Sequence, residues 1–81
     1  MNQLKYEVSA FWDKEAQVWV AESESVPGLA TEAETLEALT QKLRTLVPEL
    51  LQLNHIIQDT SVTEIEIEIT SHRQETVQIA T

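Results

Sequence analysis

Glutamates are the residues of this chain best placed by number and spacing to do chemistry. Glu22, Glu24, Glu32 and Glu34 flank the only glycine, Gly28, and Glu64, Glu66 and Glu68 recur at every second position. The first group could gather a hard cation. A dedicated calcium loop, however, alternates Asp and Asn around a glycine, and that pattern is missing. The second group, on one face of a strand, repels any acidic strand laid beside it and is read as a row facing water or a basic partner. His55 and His72 stand far apart, so a shared metal ion is not expected. There is no cysteine, no Gly-x-Ser-x-Gly elbow and no glycine-rich phosphate loop. A magnesium-dependent nuclease remnant built on Glu7, Glu37 and a strand carboxylate is the weakest reading, since its acids would have to converge. Neither catalysis, a cofactor nor a metal is expected.

The charge balance points towards binding. Fourteen acids against five bases give a formal net charge of −9. Lys5, Lys14, Lys42, Arg44 and Arg73 are scattered, whereas nucleic-acid binding needs clustered cations that displace counterions from phosphates. Nucleic acid is therefore not expected as a direct partner. A basic protein fits, because complementary fields speed encounter; acidity also serves solubility alone. Neither a leader-like N-terminus nor an apolar run of about 20 residues is present, so a cytoplasmic protein without a membrane segment is expected.

These side chains need elements to hold them. In residues 4–12, Leu4, Tyr6, Val8, Ala10 and Trp12 share one parity, which is a strand pattern. Asp13–Ala16 supplies turn chemistry, and Val18–Ala21 reads as the returning strand of a hairpin. Pro27 sets one dihedral and Gly28 permits a positive one, turning the chain into a short third strand within Leu29–Ala33. Thr35 is the expected N-cap, with Glu37 in the first turn. Leucines 36, 39, 43, 46, 50 and 53 then recur at helical spacing. Pro48 predicts a kink, or two helical pieces, near Arg44–Pro48. Asn54 is the expected stop. After a loop at about 58–61, residues 63–69 alternate isoleucine with acid or threonine. Ser71–Glu75 reads as a turn, and Val77 and Ile79 suggest a last short strand pairing back on the isoleucine strand. The expected fold is α+β: a sheet of three to five strands, partly antiparallel, on one Pro-kinked helix, ordered β-β-(β)-α-β-(β), in a single domain spanning 1–81.

Apolar residues occur on both parities of the first two strands, and one helix covers one face. The other face either packs Phe11 on Trp19 across the hairpin or meets another chain, since large aromatics are enriched at interface centres. The candidate binding residues are Phe11, Trp19, Glu22, Glu64, Glu66 and Glu68, on the face away from the helix and its rim. A chain this short, with no disulfide or metal, also favours self-association.

Trp19-Val20-Ala21, Val26-Pro27-Gly28-Leu29, Thr31, Glu34-Thr35-Leu36-Glu37-Ala38 and Pro48-Glu49-Leu50-Leu51 together resemble the small HicB-like antitoxin domain over about residues 4–70. The resemblance implies a partial ribonuclease H-like fold that has lost catalysis. It also implies dimers or larger assemblies, and a small basic HicA-like, RNA-cleaving toxin as the partner that is sequestered. The chain departs from the family in having Ala33 where a glycine precedes the helix cap, and nothing matches the operator-binding segment of full antitoxins. The expected function is that of a non-enzymatic acidic inhibitor of a basic toxin; the alternative is an orphan homodimeric domain without a toxin.

Overall fold

The computed structural model describes residues 4–57 and 63–80; the whole of the loop expected at 58–61 lies outside them, as does residue 62. Strand β1 spans Lys5–Asp13, β2 Val18–Glu22 and β3 Thr31–Ala33; helix α1 spans Leu36–Leu53 and β4 Glu66–His72. They form a four-stranded mixed sheet in the order β3-β2-β1-β4, with α1 on one side. The α+β class and the element order through the isoleucine strand are those the sequence predicts.

The β1–β2 hairpin fixes which side chains face the helix. Asp13 Oδ1 accepts from the amides of Glu15 and Ala16, both at 3.1 Å. The Gln17 amide donates to the Asp13 carbonyl at 2.8 Å, with Gln17 in the left-handed region at φ 59°. This loop of residues 14–17 sets Asp13 opposite Val18, Trp12 opposite Trp19 and Phe11 opposite Val20. Even-numbered residues of β1 therefore share a face with odd-numbered residues of β2. Val8, Ala10, Trp19, Ala21 and Ala33 form the sheet side of the core, and Leu39, Leu43, Val47 and Leu51 the helix side.

Gly28 occupies the turn that needs it. The Leu29 amide donates to the Val26 carbonyl at 3.2 Å, with Pro27 and Gly28 (φ 81°) between them, as in a type II turn. Asn54, the C-cap of α1, donates from Nδ2 to the Pro27 carbonyl at 3.3 Å and to the Leu50 carbonyl at 2.8 Å. The turn is thereby tied to the end of the helix. At the other end, Thr35 accepts from the Ala38 amide at 3.0 Å, as expected of the N-cap.

Two sequence expectations change here. Helix α1 is one helical span through Pro48 rather than two pieces. Pro48 removes the donor to the Arg44 carbonyl, but Arg44 lies on the exposed side where water can replace it. The second change concerns the C-terminal segment. The isoleucine strand runs on to His72 where the sequence suggests a turn from Ser71, because β4 pairs in parallel with β1 as far as Phe11–His72. Residues 73–80 form no strand, so the final strand expected at Val77 and Ile79 does not pair back within the chain.

Candidate functional site

The sheet face opposite the helix carries Glu7, Ser9 and Phe11 from β1, Val20 and Glu22 from β2, Glu32 from β3, and Glu66, Glu68, Thr70 and His72 from β4, by alternation and register. The helix does not cover this face. Its apolar centre is a row across three strands, Val20–Phe11–His72. The Phe11 and His72 rings stack at 5.7 Å between centroids with 22° between planes, and Phe11 remains 40% exposed.

A shallow groove beside Phe11 is lined by Glu7, Ser9, Glu22, Ser23, Glu24 and Ser25. Its shape follows from two serines. β2 ends at Glu22, leaving the backbone of Glu7 beyond the β1–β2 ladder. Ser23 Oγ donates to the Glu7 carbonyl at 2.5 Å, and the Glu7 amide donates to Ser25 Oγ at 3.1 Å. Ser23 Oγ also accepts from the amides of Ser25 and Val26, both at 3.2 Å. The serines replace the missing ladder partners and hold the segment after β2 against β1. Glu7, Glu22 and Glu24 consequently rim one groove.

Across the sheet, Lys5 Nζ lies 3.0 Å from Glu68 Oε1. The hydrogen bond to Glu68, and then its negative charge, raise the Lys5 ammonium above its ordinary range. Lys5 thus offsets part of the glutamate row. At the far end, the Arg73 guanidinium sits 4.0 Å over the Trp12 ring, while its Nε donates to Glu75 at 2.7 Å. This hydrogen bond, followed by the Arg73 charge, holds the Glu75 carboxyl below the usual carboxylate range.

The structure brings Phe11, Glu22, Glu66 and Glu68 to one face. It does not bring Trp19 there. Trp19 is 8% exposed on the helix side, meeting Trp12 edge to face with centroids 5.5 Å apart. The four-residue loop pairs odd with even positions, and a one-residue change of register exchanges the faces. Glu64 is exposed but precedes β4, outside the paired strand. Sequence reasoning misses Glu7, which shares the parity of Phe11, and His72, which it places in a turn. The parity of Glu7 is a usable signal; the position of His72 depends on how far β4 pairs with β1. Among the described residues no group of three acidic or histidine side chains is arranged to hold a metal ion, and no helix is long and apolar enough to cross a membrane.

A family model described as a domain of unknown function, DUF1902, matches residues 5–79. The chain is similar to the crystal structure of hypothetical protein TTHA1013 from the extremely thermophilic bacterium Thermus thermophilus. The two share 44% sequence identity with a TM-score of 0.63, over 93% of this chain and 99% of that one. No curated protein matches.

Proposed function

The chain belongs to the DUF1902 family, and we propose that it is a non-enzymatic acidic binding module, an antitoxin-type inhibitor that sequesters a small basic RNA-cleaving protein. The observation that carries this reading is the uncovered sheet face, where a half-exposed Phe11 stacked on His72 is bordered by Glu7, Glu22, Glu66 and Glu68. An aromatic centre with a charged border is the anatomy of an interface that a partner desolvates at its middle and steers from its edge. The net charge of −9 favours a basic partner.

The HicB-like resemblance supplies the class of partner. The sheet order β3-β2-β1-β4, with β4 parallel to β1, is compatible with the partial ribonuclease H-like fold that resemblance implies. On this reading Phe11 provides the apolar anchor, while Glu22 and Glu68 meet cationic side chains. Trp19 acts only by holding β2 under the helix. The toxin is inhibited by occlusion, and no bond is made or broken.

Co-expression with the product of any small reading frame adjacent to this one tests the proposal through growth rescue and co-purification. Rescue with a complex that Phe11→Ala weakens supports it. A harmless neighbour, or a complex indifferent to Phe11→Ala and Glu22→Lys, overturns it.

A further inference from the structure

Beyond β4 the chain contains a second strand-like segment without a place in its own sheet. In residues 76–80, Val77 and Ile79 alternate with Thr76, Gln78 and Ala80. Val77 is 80% exposed and Ile79 89%, although both have side chains that favour a half-buried sheet. The segment is led away from its own β4. Arg73 rests on Trp12, and Thr76 lies with Gln74 beside Trp12 and Lys14, at the hairpin end of β1. A hairpin folding back on β4 would have to turn the opposite way.

An acceptor for such a segment exists at the sheet edge. β4 is the outermost strand, so its far side carries no ladder among the described residues. On the helix face of that edge Ile65, Ile67 and Ile69 remain only half-buried, because the helix backbone approaches β2 and β3 most closely. We infer that residues 76–80 of one chain add as a fifth strand to the free edge of β4 in a second copy, placing Val77 and Ile79 beside the isoleucine row.

Charge distinguishes this occupant from others. Two β4 strands placed edge to edge would bring Glu66 and Glu68 of both copies together, and like charges across a ladder are unfavourable. The segment instead sets Thr76 and Gln78, which are neutral, along that glutamate row. Acidic side chains guard the edge against β4 itself while leaving it open to the C-terminal segment. The exchange gives a small core additional apolar burial, and it is independent of any basic partner.

The lack of cysteine makes the test clean. Sedimentation velocity of the full chain from micromolar to submillimolar concentration is expected to show a dimer. The dimer should be lost in a chain ending at Glu75, whose core residues are all retained, and in the full-length Val77→Asn, Ile79→Asn double variant. Mixing Thr70→Cys and Gln78→Cys chains under oxidation should give a covalent heterodimer, while Gln41→Cys on the exposed side of the helix should not join Gln78→Cys. A full chain that stays monomeric, a dimer that survives both variants, or a Thr70→Cys, Gln78→Cys chain that closes on itself would each overturn the exchange.

Discussion

Trp12 and Trp19 face each other across the first hairpin, edge to face with ring centroids 5.5 Å apart. Phe11, one residue before Trp12, points to the opposite side of the sheet and stacks on His72. Neighbouring aromatics therefore lie on opposite sides of the sheet, one pair closing the core and the other standing on the face that the helix leaves uncovered.

This separation can be measured by urea denaturation. Trp19→Ala should lower stability by about 3–5 kcal/mol, the usual loss for a large buried aromatic. Phe11→Ala should lower it by about 1 kcal/mol or less, as for a cross-strand surface pair. Equal losses would contradict the assignment of faces.

Gly28→Ala isolates the backbone contribution of the Pro27–Gly28 turn. A Cβ there would lie 3.6 Å from Leu50 Cδ2, an ordinary contact, so the expected cost of about 1–2 kcal/mol comes from the left-handed φ of 81°. Asn tolerates that region better and should cost less. A neutral Gly28→Ala, measured by the same denaturation series, would contradict the turn geometry.

Charge reversal on the uncovered face should slow capture of a basic partner. Glu22→Lys or Glu68→Lys is expected to reduce the association rate by about tenfold at low salt, with a smaller difference as ionic strength rises. Stopped-flow mixing reads both. Unchanged rates would remove steering from the proposed function.

The two exposed ion pairs titrate in opposite directions. Glu75 has a lowered folded pKa, so its contribution is present above the ordinary carboxylate range and disappears as pH falls through the lowered value. Lys5 has a raised one, so its contribution is present below the ordinary lysine range and disappears as pH rises through the raised value. Carboxyl and ammonium NMR titrations should show Arg73→Gln returning Glu75 upward and Glu68→Gln returning Lys5 downward. Unmoved midpoints would mean that neither pair persists in solution.

The local elements are legible in the sequence because short-range chemistry sets them. Thr35 and Asn54 cap the helix at the positions their side chains suggest, since each bonds within a turn of its own backbone. Gly28 sits where only a residue tolerant of positive φ is comfortable. The uncovered face is half legible. Phe11, Glu22, Glu66 and Glu68 share it, whereas placing Trp19 there requires a face-pairing that the Asp13–Gln17 loop does not make.

Periodicity and composition act within each segment, and they suffice for the α+β class, the order of elements, the acidic character and the amphipathic helix. Three features arise only when distant segments meet. The hairpin loop sets the register that buries Trp19, parallel pairing with β1 carries β4 on to His72, and the hold of Arg73 on Trp12 leads residues 76–80 away from their own sheet. None of them is written in a single strand, because alternation along one strand carries no information about its partner's phase.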